Sequence, residues 1–437
     1  MHTEISWKLP CLPGITSRSL QDVHIRGFKV FMKRSIPLHA RKFLVLAILS
    51  ALIVFSCAQD SIFFYVTNEL EPKDPIIPGS PTNMVIVDNK VYVGTFQGRE
   101  VWVYDDTSGG EKWSRIKRPG GSIGGLAVAN DGIEDFLYAL VFPNREPLET
   151  SAIKKYDSVL EDWTDTYEAP PGYSIQSVFG AGGKIFAGAQ LKSNYQSYAV
   201  LFLDPEAVSP SLDIVKTETS FLRGAAAAGP GGDIYLATNG SGILKFDIAA
   251  LPDPISQTAV VSGNIAGIIE TGGIITAVSS GGTVYYYDPA AEMLYEYYST
   301  SFNFTGAICI WKQYDPDIPL PADKWKPSLL LLGVYGERSS TTHGYREILL
   351  NEEAKPTGVL RKTGNDIPSS VKMENEAKYN ANLGTHPVEH IIQIPEGVMD
   401  YPDMEMAENE GWEPLMFAST SREGLWSYRD GVWNAEE

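Results

Sequence analysis

Cysteine is nearly absent from this chain. Its 437 residues hold three, Cys11, Cys57 and Cys309, too few and too scattered for a disulfide framework or a Cys-x-x-Cys metal pair. Cys309 sits inside the apolar run Ala307-Ile308-Cys309-Ile310-Trp311 and reads as a small buried hydrophobe. Two catalytic signatures are also missing, His-Glu-x-x-His and the phosphate-binding loop. That weakens the case for an enzyme without excluding one assembled from distant loops. No long helical period runs through the chain, which disfavours an α/β sheet. Basic residues are scarce beyond the N-terminus. Residues 1–56 contain Lys8, Arg18, Arg26, Lys29, Lys33, Arg34, Arg41 and Lys42 against Glu4 and Asp22. From position 57 onward 27 basic residues face 52 acidic ones, a net charge of −25. So acidic a body repels a phosphate backbone and argues against nucleic acid as a partner. Its simplest role is solubility.

What is present begins with an address. Lys33, Arg34, Arg41 and Lys42 precede Phe43–Phe55, thirteen uncharged and mostly apolar residues. The run is short for a membrane span and fits the apolar region of a secretory signal. It ends in Val54-Phe55-Ser56-Cys57, which resembles the lipobox of bacterial lipoproteins, although Phe55 is bulkier than the residue usual there. The resemblance implies cleavage after Ser56, diacylglycerol on the Cys57 thiol, and an extracytoplasmic protein held on a membrane of the bacterial cell envelope. Met32-Lys33-Arg34 would be a normal signal start, which makes 1–31 an over-extended beginning. The expected organisation is a signal segment over 1–56, a lipidated tether over 57–60 and a body over 61–437.

The body is a repeat. Asn264–Ser299 is its most regular stretch, four short runs of β-branched and aromatic residues with Gly and Pro only between them. Aligning second strands on Tyr92, Tyr138, Phe186, Tyr235 and Ile275 gives spacings of 46, 48, 49 and 40 residues. A period of that size with four strands per unit predicts an all-β fold, a single β-propeller of seven four-stranded blades. Ser61–Leu70 is spare and apolar, and is expected to pair with the last blade and latch the ring, because an open ring leaves unpaired strand edges. Third strands tend to end in an aromatic followed by Asp, at Tyr104-Asp105, Tyr156-Asp157, Phe246-Asp247 and Tyr287-Asp288, and Trp163 follows Tyr156 by seven residues. This is similar to the spacing in kelch repeats, as architecture and not as a family motif, since the kelch double glycine is replaced by Gly94-Thr95, Gly188-Ala189 and Thr238-Asn239.

Candidate sites are few. Gln313–Pro327 and a polar insertion at about 352–387 are the long excursions, and function is sought there first. His386 and His390 stand four apart, but Pro387 and the strand context argue against a helical metal pair, and His343 is the remaining histidine of the body. Asp400, Asp403, Glu405, Glu408 and Glu410 lack calcium-loop spacing and read as a solvated charge run, as do Asp315 and Asp317. Tyr285, Tyr286, Tyr287, Tyr295, Tyr297 and Tyr298 read mainly as packing between blades, because neighbours on a strand face opposite ways. The sequence assigns no catalytic, cofactor or metal residue, and Cys57 alone as a lipidation site. The reading is a lipid-anchored binding or scaffold propeller for a protein, small-molecule or glycan ligand; the alternative is a glycan-active hydrolase or lyase with carboxylates in the axial channel.

Overall fold

Short β-branched and aromatic runs cut by Gly, Asn and Asp pairs fold as antiparallel meanders. The computed structural model describes residue 77 and residues 80–436, apart from 106–111, 131, 144–149, 219, 229–231, 252–257, 300–302, 315–324, 336–343, 352–355, 362–386, 395–414, 421–423 and 430–431. All belong to the unit Asp74–Glu437. The first sheet is β1–β4 (Pro81–Val87, Lys90–Thr95, Val101–Tyr104, Trp113–Arg115) and the second β5–β8 (Ser122–Asn130, Asp135–Phe142, Ala152–Asp157, Asp162–Glu168). The third is β9–β12 (Tyr173–Ala181, Lys184–Leu191, Asn194–Leu203, Asp213–Glu218). A six-stranded sheet follows, β13–β18 (Phe221–Ala228, Asp233–Phe246, Thr258–Thr271, Ile274–Ser279, Thr283–Asp288, Met293–Ser299). The last two are β19–β22 (Asn303–Tyr314, Trp325–Tyr335, Gly344–Leu350, Pro356–Arg361) and β23–β26 (Val388–Gln393, Met416–Thr420, Gly424–Arg429, Val432–Ala435). Among the described residues the one helical turn is Ile248–Ala250, and no helix is long and apolar enough to cross a membrane. This is an all-β propeller.

The described strands form six hydrogen-bonded sheets, where the repeat predicts seven. The difference lies in β14 and β15. The sequence pattern separates Ile234–Thr238 from Gly242–Phe246 and Ser256–Val260 from Ala266–Glu270, because glycine fills both gaps. Gly240 and Gly263 take φ values of +142° and +119°, and Asn239 pairs with Asn264 beside them. The ladder therefore runs on through both gaps, and β15 pairs with β14 by its first half and β16 by its second. Part of the expected insertion at about 352–387 is strand. Pro356–Arg361 is β22, the outer strand of its sheet, pairing Ile348 with Leu360; its proline sits at the first position of an edge strand, where a missing N–H costs least. Ser61–Leu70 lies outside the described residues.

The aromatic-Asp motif has a structural cause. Asp157 Oδ1 accepts the N–H groups of Val159 and Leu160, both at 2.9 Å, Asp288 Oδ1 those of Ala290 and Ala291, and Asp247 Oδ1 that of Ala249. Each carboxylate thus caps the connection from third to fourth strand. The aromatic before it is buried between sheets, as Tyr104, Tyr156, Phe246 and Tyr287 all are.

The first strand of each unit is the innermost, and these strands touch their neighbours in sequence order, with β23 returning to β1. Side chains clamp one to the next. Asn83 of β1 both donates to the Leu126 carbonyl and accepts the Leu126 N–H of β5, at 2.7 and 2.6 Å, and Thr305 of β19 donates to the Val388 carbonyl at 2.5 Å. Where β15 crosses β19 the backbones themselves meet: a Cβ on Gly267 would stand 2.2 Å from the Gly306 oxygen, and one on Gly306 would stand 2.4 Å from the Ala266 oxygen.

The core is distributed between sheets rather than held in one centre. Where the last sheet meets the first, Tyr104, Trp113 and Phe417 form a triangle with centroids 5.1–5.2 Å apart. Ile77, Met84, Val91, Ile394, Leu415 and Leu425 join the same cluster. The Trp113 indole donates to Glu436 Oε2 at 2.6 Å. This packing closes the ring.

Candidate functional site

An opening of about 620 Å³ lies among the inner strands. Its wall is built from Ile268–Thr271 of β15, Ile308, Cys309, Ile310 and Lys312 at β19, His390–Ile394 around β23, and Met84 of β1. These are mostly the C-terminal ends of inner strands, so the opening lies towards the face where first strands turn into second strands. On that face the chain leaves β19 for 315–324 and β23 for 395–414, segments outside the described residues.

The isoleucine doublets explain how the opening keeps its shape. Adjacent residues on a strand face opposite ways, so Ile268 packs into one inter-sheet core and Ile269 into the next. Ile391 and Ile392 divide in the same manner. Each inner strand is thereby pinned from both sides. Gln393 adds a polar lock: its Oε1 accepts the Lys312 N–H at 2.7 Å and its Nε2 donates to the Lys312 carbonyl at 3.0 Å. That satisfies edge groups of β19 which would otherwise face the opening.

Two titratable groups of the lining are shifted by burial. Burial lowers the His390 pKa to about 4, and its Nδ1 is sequestered with no hydrogen-bond partner. It is neutral at pH 7 and too weak a base for general-base work there. Burial pushes the Cys309 thiol up to about 12, against a smaller opposing effect of the Gln393 backbone N–H. A thiol so placed is no nucleophile, and the expected small buried hydrophobe is what the structure shows. Glu389, outside the opening's lining, is raised by burial and drawn back by Arg223. Glu270 is the carboxylate of the described lining, and its Oε1 accepts the Gly273 N–H at 2.7 Å. Lys312 supplies an exposed cation. Among the described residues no group of three or more His, Cys, Asp or Glu could hold a metal ion.

Of the residues singled out in the sequence, the structure brings His390 and Cys309 to this opening and leaves Tyr285, Tyr286 and Tyr287 in the packing of the sheets. Tyr286 and Tyr287 are buried, and Tyr287 lies 5.6 Å from the Tyr235 ring. Cys57, His343, His386, Asp315, Asp317 and the acidic run 400–410 lie outside the described residues. One signal escapes the motif reading: Gly120-Gly121-Ser122-Ile123-Gly124 has the spacing of a hydrolase nucleophile elbow. The structure places Ser122 fully buried at the start of β5, its hydroxyl without a partner and with no helix following. It is not an exposed nucleophile.

No protein-family model matches the chain, and no curated protein matches it. In fold it is similar to the crystallised β-propeller domain of Cps50 (Swd1) from Myceliophteria thermophila, with a TM-score of 0.50 and 9% identity, covering 82% of this chain and 100% of that domain. At that identity the likeness speaks for architecture alone, and on it together with the strand order the body of this chain is a β-propeller.

Proposed function

We propose that the chain is a lipid-anchored, extracytoplasmic seven-bladed propeller that serves as a binding or scaffold module at the bacterial cell envelope. The anchor rests on the basic flank, the apolar run and Val54-Phe55-Ser56-Cys57. The count of seven is supported by the inner strands. β1, β5, β9, β13, the second half of β15, β19 and β23 each carry a register shift against their second strand. A shift in every one of these pairings, two of them in the last but one sheet, supports a repeat of seven units in which the six-stranded sheet would hold two.

The observation that carries the binding reading is the opening beside β15, β19 and β23. It is preformed, its walls are fixed in inter-sheet cores, and a few polar groups converge on apolar surface, as in ligand sites generally. The described lining offers one carboxylate, already engaged in a turn, so nothing there favours the two-carboxylate chemistry of glycoside hydrolysis.

Two measurements test the proposal. Cells fed a radioactive fatty acid should label the wild-type chain and leave Cys57→Ala unlabelled and free of the membrane fraction; equal labelling of both removes the anchor. For binding, a fragment screen by thermal shift should yield compounds that raise the wild-type midpoint and lose that effect in Lys312→Glu. Hits indifferent to the substitution would place binding elsewhere.

A further inference from the structure

The face where first strands turn into second strands carries a second feature. Turn tips there are normally small or polar, as Asp88-Asn89, Gly182-Gly183 and Gly272-Gly273 are. Two neighbouring sheets depart from this. Ile133, between β5 and β6, is 90% exposed; Val159 and Leu160, between β7 and β8, are 86% and 66% exposed; Val208, between β11 and β12, is fully exposed. Antiparallel order puts all these turns at the same end of their strands.

The Ile133 and Val208 tips are adjacent, and all three turns are held by their own hydrogen bonds. The Asn130 N–H donates to the Gly183 carbonyl at 3.0 Å, tying the tip of the second sheet to that of the third. A Cβ on Gly132 would lie 3.7 Å from the Glu206 side chain, so the Ile133 turn abuts the Val208 turn. Asn130 Oδ1 accepts the Gly132 N–H, Asp157 those of Val159 and Leu160, and Asp204 that of Glu206. Lys184 bolts the last turn through Asp204 and Glu206, at 2.6 and 2.8 Å. Apolar side chains are thus presented to water on turns already ordered, which reduces what a partner must spend on ordering them. Exposed carboxylates share these turns, Glu134 and Asp135 after Ile133 and Glu161 after Leu160, while Glu206 is already paired with Lys184.

The chain supplies its own comparison. The fifth unit caps the same turn with Asp288, yet carries Ala290-Ala291 where the second carries Val159-Leu160. The turn does not need large apolar residues to form.

We infer that the tips of the second and third sheets form a docking face for a segment of a partner protein that carries apolar side chains between lysines or arginines. The inference adds a surface to the binding-module reading and stands apart from the axial opening and from the lipid anchor. The carboxylate surround decides the class of partner: it complements a cationic segment and opposes an anionic membrane.

The test uses the full chain carrying Cys57→Ala, so that no acyl group contributes, and a synthetic peptide of alternating leucine and lysine as probe. A leucine–glutamate peptide is its control. A chain of this charge attracts any cation, so the apolar tips are the discriminating element. Val159→Ala/Leu160→Ala copies the fifth unit and should leave the fold intact while weakening the leucine–lysine peptide about tenfold; Ile133→Ser/Val208→Ser should weaken it comparably. Hydrogen-exchange protection should map to 132–135, 157–162 and 204–210. Absent peptide binding, unchanged affinity in both variants, or equal binding of the glutamate peptide would each overturn the inference. So would tip-dependent sedimentation with phosphatidylcholine vesicles, which would assign the face to lipid.

Discussion

Gly306→Ala is expected to cost the chain several kcal/mol of stability. Two terms add. Gly306 has φ near +106°, a backbone state that costs other residues about 1–3 kcal/mol. The new Cβ would also stand 2.4 Å from the Ala266 carbonyl oxygen. The obstacle is backbone belonging to an inner strand packed on both sides, so it has little room to retreat, and overpacking of this kind costs about 1–3 kcal/mol more. Gly263→Ala separates the terms, since Gly263 has φ near +119° with nothing within 4 Å of its Cβ position. Urea unfolding should show the larger loss at Gly306. Equal losses would mean that β15 and β19 do not approach as closely as described.

Trp113→Ala should rank with it. The indole is 5% exposed, contacts Tyr104 and Phe417, and donates to Glu436. Removing a buried tryptophan typically costs about 3–5 kcal/mol. Trp113→Phe keeps a ring in the triangle and removes the indole donor from Glu436 Oε2, for a loss of about 1–3 kcal/mol. Location is the sharper readout. Hydrogen exchange should rise in β1–β4 and β23–β26, on both sides of the closure, and stay near wild type in β9–β12. Uniform acceleration through all sheets would show that the closure does not open as a separate event.

These residues also show where the sequence is readable. The meander from Asn264 to Ser299 is visible because its periods and breakers are local, and the structure forms its strands as expected. Each first strand, however, begins earlier than its alternating pattern suggests. β1 starts at Pro81 where the pattern starts at Met84, β5 at Ser122 against Leu126, and β13 at Phe221 against Gly224. The register shifts at Pro81/Met84, Ile123/Gly125 and Leu222/Gly224 explain this. An extra residue breaks the period of two, so one side of it looks like loop. Gly240 and Gly263 mislead in the opposite sense, reading as breaks while the ladder passes through them.

The candidate site was less legible, because it arises from closure. Nothing near Cys309 in the chain says that Ile268 and His390 will flank it. The tips could have been found: Ile133 after Asn130-Asp131-Gly132, and Val159-Leu160 where the fifth unit has alanines, are apolar residues in positions that need only cap-compatible ones.

The bond from Trp113 to Glu436 spans 323 residues of chain, whereas every sheet is built from hairpins between neighbours. Closing so long a loop carries an entropic penalty that short hairpins escape. The expected order of events is that sheets assemble early and the first and last find each other late. Interactions made after the rate-limiting barrier slow unfolding more than they speed folding. The Trp113 triangle is therefore expected to act as a kinetic fastener: Trp113→Ala should speed unfolding far more than it slows refolding.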